Sequence, residues 1–191
     1  MCVLNLNIHF AMTVDSSTLA TIFGYTGVLA NLCWPLMKRR PYLLAGQVLA
    51  CCFMFSHFML LGAYTGAAVM GVAGFQAALA IPLGLKPKFK RIYIASFLLT
   101  PLVCFATWQG AQSVFSSLAL AIVCVANFQL NQVHQRALLI TAIFAWFAHN
   151  VMVGSVPGLI SNTLAFVVST YMLVATAKSA NVAKLELAQC K

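Results

Sequence analysis

FSHFMLLGAYTG, residues 55–66, and FAHNVMVGSVPG, residues 147–158, decide how the rest of the chain is read. Phe55 and Phe147, His57 and His149, Gly62 and Gly154, and Gly66 and Gly158 hold the same relative places, 92 positions apart. Each stretch sets an ionisable imidazole inside an apolar run and then turns on glycine, the residue that tolerates positive φ at a helix end. An imidazole is costly in such a setting, and the chain pays that cost twice.

The surroundings are lipid-like in composition. Of 191 residues, 62% are hydrophobic and only 7% charged, against about 25% charged in an ordinary soluble domain. That excludes a soluble fold and points to a multi-pass membrane protein. The net charge of +9 comes from 11 Lys and Arg against two acids, Asp15 and Glu186. The seven cysteines, Cys2, Cys33, Cys51, Cys52, Cys104, Cys124 and Cys190, are odd in number and form no CxxC. They read as small apolar packing residues rather than a disulfide or metal framework. The N-terminal MCVLNLNIHFAMTVDSS lacks the basic start and cleavage pattern of a signal peptide, and Met12 is an alternative start.

A helix crossing the bilayer needs about 20 mostly apolar residues. Seven such runs occur: Thr18–Met37, Tyr42–Gly62, Ala67–Leu85, Ile92–Trp108, Val114–Leu130, Ala137–Ser155 and Leu159–Ala177. Seven crossings put all 11 basic residues on one side. Lys38, Arg39 and Arg40 follow the first run. Lys86, Lys88, Lys90 and Arg91 follow the third, Arg136 the fifth, and Lys178, Lys184 and Lys191 the last. The positive-inside rule makes that side cytoplasmic, with the N-terminus outside and the C-terminus inside. Topology alone accounts for the basic loops, which call for no nucleic acid.

The two quoted stretches make the second span correspond to the sixth, the third to the seventh and the first to the fifth, leaving the fourth as a linker. The expected fold is therefore all-α, with seven transmembrane helices in a 3+1+3 parallel repeat about an axis along the membrane normal. The units are an extracytoplasmic lead (1–17), a first triplet (18–85), a basic loop and linker helix (86–113), a second triplet (114–177) and a cytoplasmic tail (178–191).

This arrangement resembles the SWEET sugar-transporter and PQ-loop superfamily. More closely, SHFMLLGAYTGAA and FAWFAHNVMVGSVPGLISN resemble the YgjV family of bacterial inner-membrane proteins, in which a His-x4-Gly-like element recurs near the ends of two spans. The likeness covers most of residues 18–177 and implies the fold and an inner-membrane location. The hallmark Pro-Gln pair is absent. Pro35 lies near the end of the first span, but the matching NFQLNQ of the fifth has no proline, so the proline-hinge gating of SWEET relatives does not carry over to the second half. In SWEET-like proteins an asparagine on the third helix of each half helps bind substrate. Asn162 stands in a similar place, Met70 takes the matching position, and Gln76 lies deeper as a substitute.

No acid lies inside a span, and no GxxxxGK[ST] phosphate loop occurs. The candidates for polar work are His57, His149, Asn150, Asn162 and Gln76, with Trp146 near His149 on one helix face; Asn31, Asn127 and Gln129 are further polar residues in the spans. An ionisable residue in a span is a functional hypothesis by default. The structural alternative is an imidazole bonded to a carbonyl or hydroxyl of the next helix, locking the bundle. Asn162 and Gln76 have interhelical bonds as their alternative, and Trp146 has core packing. Trp34 and Trp108 read as interface anchors. The expectation is a carrier or facilitator of a small, polar, uncharged solute working by alternating access, with these six residues lining or gating its path. The alternative is a non-transporting scaffold of the same fold. No catalytic set, metal or cofactor is expected; the partners are the lipid bilayer and the solute, with homo-oligomerisation left open.

Overall fold

The structure, a computed structural model, describes residues 15–84, 86 and 88–189. The expected lead, with Met12, lies mostly outside the described residues, as do Cys2 and Cys190. Among the described residues every regular element is helical: α1 (Ser16–Cys33), α2 (Arg40–Leu60), α3 (Tyr64–Ala80), α4 (Lys88–Phe97), α5 (Leu99–Ala106), α6 (Ala111–Phe128), α7 (Gln132–Val153) and α8 (Val156–Gln189), with short 3-10 turns after α1 and α3. Seven helical segments are long and apolar enough to cross a membrane, α4 and α5 together making one of them.

All seven expected spans are present, and each helix begins two to five residues before its apolar run. The apolar run marks where lipid begins, whereas a helix begins at its cap. Asn131 shows this, since its side chain accepts from the Val133 and His134 amides to start α7. Arg136, expected in a loop, therefore lies in the second turn of α7 and is buried, and Arg40 opens α2. The segment after Ala177, expected as a tail, continues α8 to Gln189. Lys178 and Lys184 end the apolar run, but nothing there breaks a helix. The gap between α4 and α5 at Leu98 has a local cause. Pro101 offers no N–H to the Phe97 carbonyl four residues back, and its ring crowds that carbonyl.

Six helices close a ring. α1 packs on α2, α2 on α3, α3 on α6, α6 on α7, α7 on α8, and α8 returns to α1. α4 and α5 lie outside it against α3 and α6. The small residues of α3 allow this crowding, for it touches α2, α4, α5 and α6. Large apolar side chains such as Leu29, Phe105, Phe144 and Tyr171 point outward, where lipid satisfies them and the helices satisfy their own backbone. The five described cysteines are free.

The two His-bearing helices end alike. Gly62 has φ +72° and Gly154 φ +67°. Ala63 N donates to Phe58 O at 2.9 Å and Ser155 N to Asn150 O at 3.0 Å, while Gly62 N donates to Met59 O and Gly154 N to Val151 O. A left-handed residue and this pair of nested bonds satisfy the last carbonyls of a helix.

Candidate functional site

An interior cavity of about 80 Å³ lies inside the ring and touches all six of its helices. Much of its lining falls into pairs 92 positions apart: Asn31 with Val123, Gln47 with Leu139, Met54 with Trp146, Phe58 with Asn150, and Met70 with Asn162. In four of these pairs one member carries an amide and the other is apolar. The cavity is thus central but one-sided in chemistry at each level.

Three of the amides are short of partners. Gln47 Oε1, Asn150 Oδ1 and Asn162 Nδ2 are buried atoms with no hydrogen bond. Asn31 differs, since its Oδ1 accepts from Trp34 Nε1 at 3.0 Å. A buried unsatisfied polar atom costs about 1–3 kcal/mol, so three amides left this way around one cavity are an expensive arrangement for a wall that only packs. Among the described residues no charged side chain lines the space. It can offer donors and acceptors to a neutral guest of a few non-hydrogen atoms and gives no counter-charge to an ion.

Of the six sequence candidates, Asn150, Asn162 and Trp146 line this cavity and His57, His149 and Gln76 do not. Gln76 faces the linker instead. Its Nε2 donates to Ser96 O at 3.2 Å and its Oε1 accepts from the Cys124 thiol, while Tyr93 OH donates to Cys124 O at 2.6 Å. It ties α3, α4 and α6 together. Trp34, expected as an interface anchor, lines the cavity beside Asn31, whereas Trp108 is exposed.

Both histidines hold helices at matching positions. His57 Nδ1 donates to Ala20 O at 2.8 Å, and His149 Nδ1 donates to Gln112 O at 3.0 Å; each carbonyl lies 37 residues upstream of its imidazole. A carbonyl only accepts, so Nδ1 carries the proton and Nε2 is the acceptor in the neutral ring. Ser155 Oγ donates to His57 Nε2 at 2.8 Å and accepts from Gly158 N at 3.0 Å. The residue 92 places before Ser155 is Ala63, which has no hydroxyl, and His149 Nε2 is buried without a partner. That nitrogen faces Gly66, where an added Cβ would come within 2.6 Å of it.

Aromatic rings pack at one end of the cavity. Phe58 stacks on Trp146 with centroids 6.1 Å apart, and His149 meets both rings edge-on at 5.4 Å. Beyond this layer an open cleft of about 560 Å³ is lined by Ser17, Tyr25, His57 and Pro157 among others, and it shares no residue with the cavity. At the other end Arg40 and Arg136 bind backbone carbonyls of neighbouring helix ends. Gln47 and the two arginines escaped the sequence reading as site residues. Gln47 is a lone amide in LLAGQVLACC, whereas the arginines read in the sequence as loop charges.

The family profile Imp-YgjV, described as bacterial inner membrane protein, matches residues 18–179. The chain belongs to this family. Its seven membrane-length helices accord with a multi-pass protein of the bacterial inner membrane. No curated protein and no solved structure matches it significantly.

Proposed function

We propose that this YgjV-family protein is a carrier or facilitator for a small, uncharged, polar solute, held in the central cavity and released by alternating access. The observation that carries this is the set of three buried, unpartnered amide atoms, from Gln47, Asn150 and Asn162, around one cavity. A guest that both donates and accepts hydrogen bonds would satisfy them, and its binding would offset a cost the fold otherwise bears.

The mechanism draws on a 3+1+3 parallel repeat, α1–α3 and α6–α8, as in the SWEET and PQ-loop superfamily. Its support is the run of features 92 residues apart: the cavity pairs, the two left-handed glycines and the two imidazole–carbonyl bonds. Rocking one triplet against the other would open the aromatic layer at one end or the arginine end at the other. The density of Lys and Arg at the arginine end supports placing it in the cytoplasm, with the N-terminus outside. His149 acts in this reading as a joint within one moving unit, His57 and Gln76 also link one unit to the other, and Asn150, Asn162, Gln47 and Trp146 meet the solute. A scaffold without transport is favoured by the complete pairing of His57 and would leave the cavity amides idle.

Osmotic swelling of proteoliposomes separates the two. A panel of small neutral amides, diols and triols is presented, and the carrier admits at least one faster than protein-free liposomes do. Equal swelling across the panel with folded protein removes the carrier reading.

A further inference from the structure

The two buried arginines are arranged reciprocally. Arg40, on α2, donates through Nη2 to Asn127 O at 2.7 Å and through Nε to Gln129 O at 3.2 Å, and through Nη1 to Ala80 O at 2.8 Å. Arg136, on α7, donates through Nη1 to Pro35 O at 2.7 Å and through Nη2 to Met37 O at 2.8 Å. Pro35 and Met37 lie 92 positions before Asn127 and Gln129. Each guanidinium therefore grips the same two carbonyls at the end of the other triplet's first helix. The backbone there is also alike, with Met37 at φ −66°, ψ 122° and Gln129 at φ −68°, ψ 131°. The arginines themselves are not at matching positions. Arg136 corresponds to Leu44, one helical turn beyond Arg40, so the same junction is reached from two different registers.

Such a grip suits a contact that must be firm and reversible. The carbonyls at a helix C-terminus lack intrahelical donors and carry the negative end of the helix dipole. A guanidinium offers a planar fork that meets two of them at once. Both clamps cross between triplets, and each holds a segment that floors the cavity. Pro35, held by Arg136, follows the lining residue Trp34, and Asn127, held by Arg40, follows the lining residue Val123 by one turn.

We propose that Arg40 and Arg136 are the gate at the basic end of the cavity, two reciprocal guanidinium–carbonyl clamps that release before the cavity opens on that side. The purpose of the gate rests on the carrier reading, but its existence is testable without any solute. Cys51 lines the cavity and serves as the reporter once the chain's other six cysteines are replaced by serine or alanine. A small, charged, membrane-impermeant methanethiosulfonate is applied to vesicles from the face bearing Lys38 and Lys86, or from the opposite face. Removing two charge-assisted hydrogen bonds shifts the closed–open balance about tenfold or more. Arg136→Gln therefore raises the rate of Cys51 labelling by at least about tenfold from the basic face and leaves the opposite face unchanged. Arg40→Gln does the same and carries the test if Arg136→Gln does not fold. An unchanged rate in folded protein, or an equal rise from both faces, overturns the gate. If labelling responds as stated while no solute swells the liposomes, the gate stands and the carrier reading falls. Swelling with unresponsive labelling has the opposite meaning.

Discussion

Ala63→Ser should make the protein more stable. Ala63 is buried and sits at the N-cap of α3, where its own side chain caps nothing, although Gln109 Oε1 accepts from Thr65 N nearby at 3.3 Å. Its counterpart Ser155 accepts from Gly158 N and donates to His57 Nε2. A serine at 63 would place a hydroxyl where it can cap Gly66 N and give His149 Nε2 the donor it lacks. A cap contributes about 1 kcal/mol, and satisfying a buried acceptor about 1–3 kcal/mol. Because one hydroxyl serves both, a net gain of about 1–3 kcal/mol is expected. In a chain of this size that raises Tm by roughly 2–4 °C per kcal/mol. Thermal unfolding of the detergent-purified protein, followed by tryptophan fluorescence, measures it. Ser155→Ala is the mirror experiment and should lose a similar amount. In a His149→Phe background the gain from Ala63→Ser should shrink to the cap's share. A serine that lowers Tm, or a gain that persists undiminished without the imidazole, refutes the matching of the two histidine sites.

Other consequences follow from single contacts. Gln76→Leu strips a donor from Ser96 O and an acceptor from the Cys124 thiol, at about 1–3 kcal/mol; unfolding should shift by that amount while solute swelling per folded molecule stays near wild type. Gly158→Ala puts a methyl on the Asn150 carboxamide, so swelling should fall several-fold at a stability cost of about 1–3 kcal/mol. Gly24→Ala sets its Cβ 2.7 Å from His57 Nδ1 and 2.8 Å from Pro157 Cγ; it should unfold at lower temperature, and a Tm equal to wild type would deny the close packing of α1, α2 and α8.

The spans were legible because lipid imposes a length and a composition that few soluble sequences meet. The direction of each polar side chain was not. α2 and α7 are apolar on every face, so the pattern does not say which face His57, His149 or Gln47 takes. His57 and His149 stood out by their type yet turned out bonded to neighbouring carbonyls. Gln47 was less conspicuous yet lines the cavity. In the sequence Arg40 and Arg136 read as loop charges, and only the folded chain shows them gripping helix termini. Their offset differs by one turn from the 92-residue spacing of the carbonyls they bind, so no alignment of the chain with itself pairs them.

One comparison bears most directly on the central cavity: solute swelling per folded molecule for Asn162→Leu against wild type, with Tm recorded on the same samples. Leucine fills about the same space and removes an unsatisfied amide, so in a carrier Tm holds or rises by up to a few degrees, within about 1–3 kcal/mol, while swelling falls toward that of empty liposomes. A variant that loses stability and swells like wild type would contradict the assignment of the cavity amides to solute.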